Sequence, residues 1–118
     1  MHKTTGLTHL IKATGYSIKG LTFAIKSETA FRHELLACVF LIPLACWLGE
    51  SAVEMALMLG SLFVVLALEL VNSAIESVVD RVGLEFHELS GRAKDLGSAA
   101  VFIAMVNVAV IWGFVIFY

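Results

Sequence analysis

Apolar positions in this chain gather into three long runs, preceded by one stretch in which they recur on a helical period. The run that organises the rest is Ala56 to Leu68, which passes without a break into Glu69-Leu70-Val71-Asn72-Ser73-Ala74-Ile75-Glu76-Ser77-Val78-Val79-Asp80. At about 100° per residue, Glu69, Asn72, Glu76 and Asp80 fall on one helical stripe roughly 80° wide. Leu70, Val71, Ala74, Ile75, Val78 and Val79 make up the other faces. The pattern predicts a membrane-spanning helix over 52–81, with Gly83 as its natural stop. A rise of about 1.5 Å per residue separates Glu69 from Glu76 by roughly 10 Å. Asp80 and Glu76 lie toward a polar segment, where charges are ordinary. Glu69 follows Leu62 to Leu68, which carry no polar side chain, and an ionisable group so placed usually marks a functional path.

The other elements follow from the same reading. Residues 5–26 are too polar to span a bilayer, yet Leu7, Leu10, Ile11, Ile18, Leu21 and Ile25 share one helical face and Lys12, Lys19 and Lys26 line its flank. This predicts an amphipathic helix lying in the membrane interface; a helix docked on a partner protein gives the same pattern. Leu35 to Leu48 covers only about 21 Å, so the first span is placed at 29–48, taking in part of the charged collar before it. Pro43 is a point of local kinking. Glu50 and Glu54 mark the turn to the second span. Residues 84–95 read as a polar loop, and 96–118 as an uncharged third span with Trp112 and Tyr118 suited to an interface and Asn107 to a helix–helix hydrogen bond. The fold class is therefore an all-α membrane protein of one domain, residues 1–118.

Composition agrees. Of 118 residues, 59% are hydrophobic and 15% charged, which fits the integral-membrane class. No run of basic residues suggests nucleic acid. Cys38 and Cys46 sit in one apolar segment and read as small hydrophobes rather than disulfide or zinc ligands. The first apolar run comes late, with no small-residue cleavage site before it, so no cleavable signal peptide is expected. Gly15 to Gly20 half-imitates a phosphate loop, but Leu21 stands where the lysine belongs and no strand precedes it. All eight Lys and Arg residues fall at one end of the spans: Lys3, Lys12, Lys19, Lys26 and Arg32 precede the apolar run that opens at Leu35, and Arg81, Arg92 and Lys94 stand between the apolar parts of spans two and three. The positive-inside rule then puts the N-terminus and the 84–95 segment in the cytoplasm.

That orientation gathers Glu28, the carboxylate stripe, Lys94 and Asp95 at one membrane surface. Separated carboxylates there suit Mg²⁺, which commonly takes one or two of them beside phosphate oxygens and water. Arg92, Lys94 and backbone amides at the start of span three could meet phosphate, and the same helix start would favour Asp95. Glu69, about two turns deeper, could serve as a general base toward a group at the headgroup boundary, such as a lipid hydroxyl. Phosphoryl transfer to a lipid and proton-coupled transport through Glu69 both remain open at this point.

Glu69-Leu-Val-Asn-Ser-Ala-Ile-Glu-Ser-Val-Val-Asp80-Arg81 followed by Glu88-Leu-Ser-Gly-Arg-Ala-Lys-Asp95 resembles the signature of the small bacterial integral-membrane diacylglycerol kinases. The likeness extends through Thr4-Thr5-Gly6, Lys12 to Ser17, Ala30-Phe31-Arg32, Glu34 and Ala45-Cys46-Trp47-Leu48, and is nearer to the Gram-negative diacylglycerol kinases than to the undecaprenol kinases. The resemblance implies ATP-dependent phosphorylation of diacylglycerol to phosphatidic acid by a homotrimer in the inner membrane, with a cytoplasmic N-terminus and active site and a periplasmic C-terminus. By matching position, it implies Glu69 as the base with Asn72 beside it, and Glu28 and Glu76 holding Mg²⁺ on the ATP phosphates. Tyr16, Glu85, Phe86, His87, Lys94 and Asp95, with those two glutamates, would form the ATP site. Ala30, Phe31, Arg32, His33, Glu34, Trp47, Ser98 and Trp112 would border the lipid together with Glu69. The chain departs from the family at His9 and Met55, where Arg is common; imidazole is a weaker and pH-dependent phosphate contact.

Overall fold

The computed structural model describes residues 5–83 and 85–118. Lys3 and Thr4, counted above among the basic and signature residues, and Leu84 at the head of the expected loop lie outside them. Among the described residues the chain forms four helices: α1 Gly6–Ser27, α2 Thr29–Leu48, α3 Ala52–Val82 and α4 Glu88–Phe117. The last three are long and apolar enough to cross a membrane.

Local chemistry sets each boundary. Gly6 opens α1 at φ +44°, a backbone region that a residue without a Cβ enters freely. Thr14, Ser17 and Thr22 donate their hydroxyls to carbonyls four residues back, so the polar side of α1 is satisfied along its own axis. Glu28 is extended between α1 and α2, and its N–H donates to the Ala24 carbonyl. The Arg32 guanidinium reaches back from α2 to donate to Lys26 O at 2.8 Å and Ile25 O at 3.4 Å. A cation thus meets the free carbonyls that end α1, its favoured place on the helix dipole. Ser51 caps α3 by accepting from Glu54 N–H, while Glu54 accepts from Glu50 N–H, a close variant of the capping box. Pro43 sits inside an unbroken α2.

The expected loop is corrected at its second half: residues 88–95 are helical, and α4 begins two turns before span three was placed. His87 caps it by accepting from Leu89 N–H through Nδ1 at 3.1 Å. Glu88 sits in the first turn, where the dipole favours it, and pairs with Arg92 one turn on. The charges that made the segment look like a loop are the ones that start a helix. Asp95 consequently lies well inside α4, and the free backbone amides are at Glu88.

Helices α3 and α4 pack most extensively, with α2 laid on α3 and α1 on α2. The core joins Cys38 and Ala45 of α2, Met58 and Leu62 of α3 and Trp112 of α4. Trp112, expected at an interface, is buried. Its indole N–H donates to Ser61 Oγ at 3.2 Å, and Ser61 in turn donates to Met58 O at 2.6 Å. A partner inside the bundle frees the indole from the headgroup layer that usually satisfies it. Large apolar side chains elsewhere on the spans, such as Phe40, Phe63 and Phe102, face outward.

Replacing Ser61 by Ala leaves a buried indole N–H without an acceptor, which costs about 1–3 kcal/mol. Equilibrium unfolding of S61A in mixed micelles is expected to show that loss, and W112F/S61A less than the sum of the two single variants, because the variants share one bond.

Candidate functional site

The long α3 carries the polar stripe from the apolar middle of the bundle to its charged end. Glu69 is only 7% exposed. Across from it α2 supplies Glu34, whose carboxyl lies against that of Glu69. Glu34 Oε1 is buried and has no hydrogen-bond partner; one turn above Glu69, the same is true of Asn72 Oδ1. Asn72 can occupy its position because α4 offers Gly97 there: a Cβ at that site would overlap Asn72 Oδ1. Burial, acceptor atoms and missing donors define this part of the site.

Nearer the end of the bundle, Lys94 of α4 reaches α3. Its Nζ is 2.8 Å from Asp80 Oδ1, and the charge of Glu76 also acts on it. Glu28, at the α1–α2 junction, lines a groove of about 430 Å³ between α1 and α3. Ser17, Gly20 and Ala24 line it from α1, and Ser73, Ala74 and Ser77 from α3. Glu28 therefore stands at the level of α3 from which Glu76 projects. A second cavity of about 550 Å³ opens where α3 passes into α4, lined by Val82, Gly83, Glu85, Phe86, His87, Leu89 and Ser90. It collects the Glu85-Phe86-His87 segment into one wall, although His87 Nδ1 is engaged as the α4 cap.

Other expected residues are dispersed. Tyr16 and His9 are exposed on α1, and Ala30, His33, Asp95 and Ser98 are exposed on their helices. Arg32 is occupied by the α1 carbonyls. Phe31 is buried in the protomer and so lines no open surface. Trp47 is exposed, but thirteen residues along α2 from Glu34 put it roughly 20 Å away along the helix. Trp112 is buried seventeen residues beyond Asp95, about 25 Å along α4. Both belong to the far end of the bundle. Met55 packs in the α2–α3 turn, close against Gly49.

Among the described residues no group of three or more His, Cys, Asp or Glu side chains converges to hold a metal ion. Glu28 and Glu76 nonetheless suit Mg²⁺, since it usually relies on one or two carboxylates and completes its shell with phosphate and water. The structure places the two carboxylates apart, Glu28 on the α1–α3 groove and Glu76 toward Lys94 of α4, so an ion between them would depend on phosphate oxygens to complete its shell.

Two residues that touch the site have no site role in the reading from sequence. Asp80 was seen as the last member of the stripe, with no partner in view. Gly97 lies in a run of small residues on α4, a pattern that marks close helix approach in membranes but does not name the neighbour.

The chain matches the family described as prokaryotic diacylglycerol kinase over residues 15–116. It is 59% identical to a diacylglycerol kinase of Haemophilus influenzae over 118 residues, covering the whole of both chains. Against a diacylglycerol kinase of Escherichia coli the identity is 51% over 111 residues, covering 94% of this chain and 91% of the relative. One from Pseudomonas aeruginosa is 50% identical over 108 residues, covering 92% and 88%.

The abutment of Gly97 on Asn72 yields a direct test. G97A is expected to displace the Asn72 amide and reduce turnover at least roughly tenfold, as small misplacements in a site do. Steady-state assays of G97A beside the outward-facing control A99G measure it.

Proposed function

The chain belongs to the prokaryotic diacylglycerol kinase family, and from that premise we propose that it transfers the γ-phosphoryl group of ATP to the free hydroxyl of diacylglycerol, giving phosphatidic acid. Membership of a kinase family sets aside the proton-coupled transporter and implies ATP as donor. The reaction is assigned to the cytoplasmic face of a bacterial inner membrane, a reading supported by the placement of all eight basic residues.

One observation supports the catalytic assignment: Glu69 is buried at the end of an apolar run with the Glu34 carboxyl against it, a costly placement that marks a functional carboxyl in a membrane bundle. An alcohol has one hydrogen to give, and Glu69 is placed to take it. The Glu69 carboxylate takes the hydroxyl proton while the alcohol oxygen bonds to the γ-phosphorus. The bond from that phosphorus to the β–γ bridging oxygen breaks, and ADP leaves. Asn72 and Glu34 orient the hydroxyl and the base. Lys94 offers N–H donors to phosphate oxygens, and Asp95 and the cavity around Glu85, Phe86 and His87 serve the rest of the nucleotide. Tyr16 of α1 completes that side, with His9 a weaker contact than an arginine. Mg²⁺ held by Glu28 and Glu76 would neutralise phosphate charge. Catalysis of this kind is mainly positioning and charge stabilisation.

Ala30, His33 and Ser98, exposed near the charged end, are suited to the lipid headgroup, while Trp47 and the Trp112 region at the far end match acyl-chain depth. In this reading α1 lies along the membrane surface with Lys12, Lys19 and Lys26 toward headgroups. The protomers assemble as a homotrimer. Outward-facing Asn107, a polar amide in an apolar span, supports such self-association because it needs a partner there.

Labelled phosphate transfer from Mg-ATP to diacylglycerol in mixed micelles tests the proposal. Wild type is expected to make phosphatidic acid and E69Q to lose at least roughly a hundredfold, the lower end of the range for a lost general base. Equal rates in both would remove Glu69 as the base. Transfer to undecaprenol but not to diacylglycerol would reassign the acceptor.

A further inference from the structure

Lys94 is the nucleotide-facing cation in the reading above, and the present inference rests on that reading. A lysine is a point charge on a flexible four-carbon stem, and holding its side chain in one rotamer set costs conformational entropy. Something must aim it. In the structure its ammonium is held by a residue of the neighbouring helix, Asp80, at 2.8 Å. Asp80 stands four residues after Glu76, so the two carboxylates sit on one face of α3, one above the other. The ammonium lies within reach of both charges.

We propose that Asp80 is a positioning residue for the nucleotide site, fixing the Lys94 ammonium beside Glu76 where the phosphates are received. An ammonium has three N–H donors, and Asp80 Oδ1 engages one, leaving two for phosphate oxygens. The pair is half exposed, 41% at Lys94 and 50% at Asp80. Ion pairs of that exposure add little to folding, and the α3–α4 seam is held by packing elsewhere. Aim, not stability, is what Asp80 supplies. The isosteric change D80N removes the charge and keeps the shape, while D80E keeps the charge on a longer arm.

The test measures KM for Mg-ATP and kcat, with diacylglycerol saturating, for wild type, D80N, D80E and K94A, with thermal unfolding of each in the same micelles. D80N is expected to raise KM for Mg-ATP about three- to tenfold with kcat changed less than about twofold, the range of one charge-assisted contact loosened rather than lost. D80E should recover most of that loss, and K94A should exceed D80N. An unchanged KM in D80N beside a raised KM in K94A would overturn the role of Asp80 and spare that of Lys94. An unchanged KM in K94A would overturn both. A D80N protein that melts lower and loses kcat and KM together, without rescue by D80E, would make Asp80 a structural residue and overturn the proposal.

Discussion

The structure depends on keeping a carboxyl group, Glu69, almost wholly out of water at the end of an apolar run. Such a group is costly to bury unless neighbouring groups compensate it. Here the immediate neighbour is a second carboxyl, Glu34, which lies against it across the α2–α3 seam, while Asn72 one turn along α3 turns its amide oxygen to Gly97. Two carboxyls held together in an apolar setting make a poor stabilising network, which accords with the proposed role of Glu69 in the chemistry. A fold bears such a cost where the chemistry requires it.

The rest of the bundle holds that cluster in place. Packing between α3 and α4 is the most extensive, and it is close at Asn72 because Gly97 has no side chain. Further toward the far end, the Trp112–Ser61–Met58 chain of hydrogen bonds ties the same two helices through their apolar interior. At the charged end, Asp80 of α3 holds the Lys94 ammonium of α4, a half-exposed pair that aims the lysine rather than binding the helices. The α2 helix brings Glu34 to Glu69, and Arg32 fastens the end of α1 so that Glu28 sits at the mouth of the α1–α3 groove. Each contact fixes one member of the proposed site relative to α3.

Periodicity along the chain carried the helical architecture and the polar stripe, since a 3.6-residue repeat and span length are local properties. Thr29 as the start of α2 and Gly83 as the stop of α3 were legible for the same reason. The start of α4 was not. Polar composition there suggests a loop, and only the His87 cap and the Glu88–Arg92 pair reveal a helix. Contacts between helices were beyond the sequence altogether. Nothing in the spacing of Asp80 and Lys94, of Ser61 and Trp112, or of Gly97 and Asn72 says that they meet, because helix rotation and register are set by the packed whole. The catalytic list was available through resemblance, which assigns a role to a position without giving the reason the position can perform it.

The central claim, that the Glu69 carboxyl receives the acceptor hydroxyl, is tested most directly by infrared difference spectroscopy. Difference spectra of the protein would be taken with and without diacylglycerol, in the presence of Mg²⁺ and a non-hydrolysable ATP analogue, and repeated for E69Q. The account predicts a shift in a carboxyl band when the lipid is added, present in wild type and absent in E69Q. A wild-type spectrum unchanged by the lipid under conditions where it binds, or the same shift in both proteins, would contradict it.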